Sequence, residues 1–417
     1  MAIVRKFKAI RPVRELASKV AALPYDVMSS SEAREMVEGN PYSFLHIDRS
    51  EIDLPVGTNP YTKEVYQKAA QTLQEMIDKE VFMQDEKACI YIYELTMNNQ
   101  AQTGLVACTS IDEYLDGTIK KHELTRADKE EDRINHVDYC NANTGPIFLA
   151  YKSNKSIKDI INDWKDSHKA EYDFCAEDGI GHKVWVIDDE AVSDKITKLY
   201  EKVENLYIAD GHHRNASAVK VGLKRRNDNP AYTMEDEFNY YLSVIFPDDE
   251  LKIYDYNRLV YDLNGHSSEE FLAQISKSFT YEVAETGGPY RPSRAKEFGM
   301  YLDNKWYKLN ARTELVDMAD PVKSLDVSIL QEMLLAPILG IKDPRVDKRI
   351  EFIGGIRGLG ELENRVNRNE GKVAFSMFPT SMDELMNVAN QDKIMPPKST
   401  WFEPKLRSGL FIHKLDK

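Results

Sequence analysis

Cysteine is scarce in this chain, with four in 417 residues. Cys89, Cys108, Cys140 and Cys175 share no metal-ligand or disulfide spacing. Reduced thiols of a cytoplasmic protein are the simplest account. Cys89 and Cys108 fall in apolar, strand-like runs and read as core filler. Long apolar runs are missing too, so no segment is expected to cross a bilayer and no membrane partner is expected. The opening MAIVRKFKAIRPV spreads its charges throughout and has no apolar stretch of the kind a secretory leader needs. Positive charge is not in excess: 55 Lys and Arg face 69 Asp and Glu, a formal net charge of −14. That balance argues against nucleic acid as partner, because a non-specific binder carries a basic field. An anionic substrate must then be caught by a local basic pocket. The sequence shows no zinc pattern, nucleophile elbow, dinucleotide fingerprint, internal repeat or low-complexity tract.

What the sequence does have is YIADGHHRNASAVK, residues 207–220. Leu206 to Ala209 reads as a buried strand, and the segment from Asn215 to Val221 has helical spacing. Strand, glycine turn, helix is the geometry that aims backbone N–H groups at an anion. Gly211 lets the backbone approach a ligand closely. His212, His213 and Arg214 fall in the first turn and can add charge-assisted hydrogen bonds to phosphate. Cationic groups are unfavourable at the positive end of a helix unless an anion offsets them. Asp210 suits a metal-bound water or the orientation of a histidine. His122 next to Glu123 has the residue types for a base or a metal ligand, but no residue is assigned as a direct metal ligand.

Elsewhere strands interleave with helices, which indicates a mixed α/β or α+β chain. Strands are expected at 3–10, at 183–187, and on either side of Asn98-Asn99 and of Asp303-Asn304. Helices are expected at 13–22, from a cap at Ser29 or Ser30 to Gly39, and at 61–79, 156–170 and 269–278. A further helix at 324–339 would have Ser324 as its N-cap and Gly340 at its C-terminus. Residues 237–246 and 251–256 read as a hairpin turning at Pro247-Asp248-Asp249. Strands are also expected at 350–355, 373–378 and 410–415, and a loop at 286–293. The stretch ADKEEDR, 127–133, reads as a solvated helical face with an Arg126–Glu130 pair. MPPKSTWFEPKLRSGLF, 395–411, is stiffened by prolines. Lys398, Ser399, Thr400, Lys405 and Arg407 give it anion-binding capacity, either as a clamp over a phosphate donor or as a strap packing Trp401 and Phe402. The glycine-rich run 354–360 follows a strand and reads as a β-to-α turn.

DGHHR, set between strand and helix, resembles the signature of the sulfiredoxin/ParB-like superfamily and, within it, that of free-serine kinases. The chain as a whole resembles the DUF1015 family, for which ADGHHR is the hallmark. The resemblance extends through LPYDV at 23–27, KHELT at 121–125, DR at 132–133, YNRLV at 256–260, LDVSILQ at 325–331 and the 395–411 segment. It implies a ParB/sulfiredoxin-like core with a large insertion over 1–264, followed by a C-terminal α/β region over 265–417. It further implies a phosphotransferase moving a phosphoryl group from ATP, ADP or pyrophosphate to the hydroxyl of free L-serine, with Mg²⁺ as the bridging ion. In that reading DGHHR holds the donor phosphates, and Asp26 acts on the substrate hydroxyl with Asp210 and His213 beside it. His122, Glu123, Asp132 and Arg133 line the pocket. Two other classes stay open at this point: a non-catalytic nucleotide-binding regulator, and a ParB-like phosphate-ester hydrolase or nuclease.

Overall fold

In the computed structural model the described residues are 1–285 and 287–416; the first residue of the 286–293 loop lies outside them. Local turn chemistry settles several elements. Asn98 and Asn99 sit at φ of 52° and 61°, the conformation a tight hairpin turn requires and asparagine tolerates. The apolar runs on either side therefore pair antiparallel as Ile90–Met97 and Gln100–Ser110. Asp303 and Asn304 do the same at 47° and 61° for Glu297–Leu302 and Lys305–Ala311. Ser29 closes a capping box with Glu32 and starts the helix Ser30–Met36.

The chain forms two compact units, Met1–Leu251 with Pro404–Lys417, and Lys252–Glu403. The division falls at Leu251/Lys252 rather than at 264/265, and the end of the chain returns to the first unit. In that unit a nine-stranded sheet is built from β1 (Val4–Arg5), β2 (Ile90–Met97), β3 (Gln100–Ser110), β4 (Ile119–Lys120), β5 (Ile147–Tyr151), β6 (Tyr172–Cys175), β7 (Gly181–Ile187), β8 (Leu206–Asp210) and β9 (Tyr240–Pro247). Their order is β4-β8-β5-β9-β3-β2-β7-β6, with β1 on β3. The pairs β4/β8 and β5/β9 are parallel and the rest antiparallel, a mixed sheet. The principal helices are α1 (Lys63–Asp78), α2 (Ala127–Cys140), α3 (Lys155–Ser167), α4 (Glu190–Tyr200) and α5 (His212–Asp228). Ile157, Ile161 and Trp164 of α3 join Ile196 and Tyr200 of α4 in one core with the sheet residues Ile92, Leu105, Leu149 and Ile208. Each such side chain contributes roughly 1.5–3 kcal/mol by leaving water.

The second unit carries an antiparallel six-stranded sheet: β10 (Tyr256–Val260), β11 (Phe279–Val283), β12 (Glu297–Leu302), β13 (Lys305–Ala311), β14 (Ile350–Gly354) and β15 (Val373–Ser376), ordered β11-β13-β12-β15-β10-β14. The hairpin expected at Pro247-Asp248-Asp249 does not form. β9 finds its partners in β3 and β5, while Ile253–Tyr254 pairs with Trp401–Phe402 and β10 with β14 and β15. Two apolar runs adjacent in sequence are each claimed by more distant strands. The helix expected from Ser324 begins later, at Asp326, with Leu325 in the cap position and no side-chain cap, and passes into a π turn at Gln331–Leu335. The strand expected at 410–415 shrinks to His413–Lys414, paired with Ala142–Asn143. No described helix is long and apolar enough to cross a membrane.

Candidate active site

The DGHHR segment folds as its residue types dictate. β8 ends at Asp210, Gly211 takes φ +88°, and α5 begins at His212. A register shift between Ile208 and Asp210 against β5 marks a bulge, which re-aims the end of the strand. No side chain caps the start of α5, so its first amides keep their donors. Glycine is required here twice over. The left-handed φ disfavours any Cβ, and a Cβ would stand 3.2 Å from the Arg214 Nε and Nη2 atoms. The guanidinium is thus laid against the turn. Its Nη1 donates to the Pro146 carbonyl at 2.7 Å. Its Nε is buried with no partner.

Both oxygens of Asp210 are taken. Oδ1 accepts from the Gly211 N–H at 2.8 Å and Oδ2 from the Lys405 ammonium at 3.0 Å. Burial alone would raise its carboxyl, but the charges of Lys405 and Arg214 prevail and hold it below the ordinary value. Lys405 lies in the segment that returns to the first unit, so the basic end of the chain is tied to the turn. Arg407 of the same segment donates to His182 at 3.3 Å.

His213 Nε2 accepts the backbone N–H of Arg126 at 3.0 Å. That bond assigns the proton to Nδ1 and leaves the ring a donor there. Burial holds its imidazole below the usual value against the opposing charges of Asp26 and Glu130. Asp26 itself is exposed, in the single turn Tyr25–Val27. Its charge reaches both His213 and the Tyr25 ring, whose hydroxyl burial pushes up to about 12.

Helix α2 meets α5 along the face read as solvated. Glu130, Asp132 and Arg133 are buried. Glu130 pairs with Lys220 and Thr125 rather than with Arg126, which turns to Asp128 at 2.7 Å. The correction has its cause in segments far away in sequence: Lys220 of α5 takes Glu130, while Tyr66 of α1 and the Tyr25 turn cover Asp132 and Arg133. Asp132 accepts from the Tyr66 hydroxyl at 3.0 Å and from Arg133 at 2.9 Å. The Arg133 guanidinium lies 3.9 Å from the Tyr25 ring centroid, within the range of a cation–π contact. Arg133 and Arg214 both line a cavity of about 20 Å³ with Tyr25, Asp48, Thr144 and Gly145, room for a water-sized guest. A Cβ on Gly145 would reach within 3.5 Å of Arg214 Nη1.

On the other side of the turn stand His122 and Glu123, just past the end of β4, which runs parallel to β8. Parallel neighbours end at the same edge, so the His122 loop and DGHHR emerge together. The rings of His122 and His212 meet edge to face, centroids 4.6 Å apart. Glu123 Oε2 lies 3.8 Å from His212 Nδ1. Neither ring nitrogen of His122 makes a hydrogen bond of good geometry, nor does Nε2 of His212; the Ile208 carbonyl is only near enough to favour the protonated His122 ring. Burial lowers His122 to about 4 and holds His212 well below its ordinary value, so both rings are neutral at pH 7. The sequence admits His122 next to Glu123 as a base or a metal ligand, and the ligand atoms of His122, Glu123 and His212 all lie within 4.8 Å of one another.

Lys398, Ser399 and Thr400 belong to the second unit. There the Lys398 ammonium lies 5.6 Å from the Tyr256 ring centroid and its carbonyl accepts from Arg258. The Ser399 hydroxyl donates to the Pro396 carbonyl, and its own carbonyl accepts from Thr380. Tyr25, Asp48, Thr144 and Gly145 escape the sequence reading as site residues. Only Tyr25, inside LPYDV, carries a signal that points to it.

Comparisons place the chain as follows. A free serine kinase mutant in complex with ADP superposes with a TM-score of 0.36 at 15% identity, covering 75% of this chain and 93% of that one. A conserved hypothetical protein from Pyrococcus furiosus gives 0.35 at 14%, covering 74% and 94%. SbnI with C-terminal truncation, from Staphylococcus aureus, gives 0.35 at 12%, covering 72% and 82%. Likeness of this degree carries no argument about what the chain binds. No curated protein matches it. The family model described as "Protein of unknown function (DUF1015)" matches residues 4–328 of the 417, and the chain belongs to that family.

Proposed function

We propose that this protein is a small-molecule kinase that transfers a phosphoryl group from ATP, ADP or pyrophosphate to the hydroxyl of free L-serine, giving O-phosphoserine. One observation carries the reading: an uncapped helix start whose glycine turn is covered by a guanidinium with a buried, unpartnered Nε. Such a donor set suits an anion. The resemblance of DGHHR to the free-serine kinases points the same way.

In this reading the first amides of α5 and Arg214 grip the donor phosphates, and the Nδ1–H of His213 adds a neutral donor. Asp210 cannot bind phosphate; it fixes the Gly211 N–H and anchors Lys405 at the rim. The serine hydroxyl oxygen bonds to the terminal phosphorus while the bond from phosphorus to the leaving phosphate oxygen breaks. Asp26 orients the hydroxyl and accepts its proton late in the transfer. Mg²⁺, arriving on the donor phosphates, supplies charge neutralisation. Arg133 and Tyr25 border the place where Asp26 and Arg214 would face the reacting groups.

The test is direct. The protein is incubated with Mg²⁺, each donor in turn and a panel of hydroxyl amino acids, and products are read by ³¹P NMR. O-phosphoserine formation with one of these donors is the expected result. Tight nucleotide binding without phosphorylation of any acceptor would make the protein a nucleotide-binding regulator instead.

A further inference from the structure

We propose that His122, Glu123 and His212 form a binding site for a first-row divalent cation of the zinc class. The proposal goes beyond the kinase reading and does not depend on it.

The fold makes the site from two distant segments. Ile119 and Lys120 of β4 pair with Leu206 and Tyr207 of β8. His122 and His212 each follow the end of one of these parallel strands, by a two-residue step. The rings converge at 4.6 Å, and the three ligand atoms lie within 4.8 Å of one another. Ligands about 2 Å from one tetrahedral ion stand roughly 3.3 Å apart, so small side-chain rotations close the set.

Burial makes the cluster more than a chance meeting. His122 is 2% exposed and His212 6%. Each nitrogen of an imidazole carries either an N–H that needs an acceptor or a lone pair that needs a donor. Each such group left buried and unpaired costs roughly 1–3 kcal/mol. The edge-to-face ring contact accounts for the packing of the two rings but gives the nitrogens no acceptor. A cation at their convergence satisfies one lone pair of each ring at once.

The donor set selects the ion. Two imidazoles and one carboxylate suit zinc, cobalt and their neighbours, whereas Mg²⁺ takes oxygen ligands. Three protein ligands leave a coordination position open. The Glu123 side chain is 44% exposed, so the ion has an entry path.

Full-length protein stripped with a chelator and titrated with Co²⁺ tests this. The expected result is uptake of one Co²⁺ per chain with visible ligand-field bands and no thiolate charge-transfer band, which separates the site from the exposed Cys175. Zn²⁺ should abolish the bands and a large excess of Mg²⁺ should leave them. Glu123→Gln, at a half-exposed position that folding tolerates, and His122→Asn, checked by circular dichroism, should each weaken binding about a hundredfold. No Co²⁺ uptake by the stripped protein, or uptake of unchanged affinity in both variants, overturns the proposal. The cobalt spectrum is read without any turnover, so a failure of phosphoryl transfer leaves this result standing.

Discussion

The molecule contains two turns with the same sequence grammar, strand to glycine to helix, and only one of them gathers chemistry. In the first unit β8 passes through Gly211 into the helix α5. In the second, β14 passes through Gly354–Gly355 and Gly358 into the helix Gly360–Asn367. Both Gly211 and Gly358 have positive φ, 88° and 75°. Around Gly358 nothing lies within 4 Å of a would-be Cβ, and the neighbouring Arg357 is exposed. Around Gly211 the Arg214 guanidinium is pressed against the backbone, and buried imidazoles stand beside it. The glycines of the second turn serve packing: Gly354 admits Trp401 and Gly355 admits Asp255. A glycine-rich turn is therefore not a site in itself. Buried, unpartnered cationic and imidazole nitrogens distinguish the one from the other.

Substitution at matched positions sharpens the contrast. Arg214→Ala should lower kcat/KM by about a thousandfold, the scale of an arginine that neutralises a transferring phosphoryl group. Arg214→Lys should recover little, since a point charge cannot reproduce the planar fork. Arg357→Ala should leave turnover unchanged. Wild-type rates from Arg214→Ala would erase the difference between the two turns. Asp26→Asn comes next, with an expected loss of about a hundredfold in kcat, as for removal of a positioned base. Donor affinity should hold, because Asp26 touches only the acceptor in the proposed arrangement; a loss confined to donor binding would refute that role. Gly211→Ala should weaken nucleotide binding about tenfold and cost roughly 1–2 kcal/mol of stability through its left-handed backbone. Gly358→Ala should cost at least as much stability, because φ 75° with ψ 162° is a backbone region nearly confined to glycine, and should have no effect on binding. Calorimetric titration with ADP and thermal melts of the two variants separate the two effects.

How far the site could be read from sequence follows from how local each feature is. The β8–Gly211–α5 turn, the Asn98-Asn99 and Asp303-Asn304 hairpins and the Ser29 cap are set by residues adjacent in the chain, and all were legible. The hairpin expected at 247–249 was not, because strand partners are chosen across the sheet and not by the nearest apolar run. The ADKEEDR face looked solvated because its covers, Tyr25, Tyr66 of α1 and Lys220 of α5, all come from segments far away in sequence. The meeting of His122 with His212 rests on β4 and β8 becoming parallel neighbours, and Lys405 on the chain end returning to the first unit. The charges and glycines raise the expectation of an anion site; pairings between distant segments decide which of the candidate residues assemble.

The smallest expected effect compares two buried glutamates, one in each unit. Glu113 is 3% exposed; its Oε1 accepts the Ile3 N–H at 2.6 Å and its Oε2 has no partner. Burial outweighs that one bond and raises its carboxyl to about 7. Glu297 is equally buried but accepts from the Tyr290 hydroxyl at 2.6 Å and the Ser293 N–H at 2.7 Å, with Lys308 nearby. Burial opposes its charge as well, yet these partners prevail and its carboxyl is lowered. The two should pull stability in opposite directions with pH. Folded Glu113 binds its proton more tightly than the unfolded chain does, so its contribution is complete below about pH 4.5 and is lost as pH rises toward 7. Folded Glu297 binds its proton less tightly, so its contribution is present above about pH 4.5 and is lost on acidification. Melting temperatures measured from pH 4 to 8 check both. Glu113→Gln should flatten the decline between pH 5 and 7, a change of about a few degrees in a chain of this size. Glu297→Gln should destabilise most at neutral pH and progressively less toward pH 4. If Glu113→Gln left the slope between pH 5 and 7 as it is in the wild type, burial would not be what governs that carboxyl, and the contrast with Glu297 would dissolve.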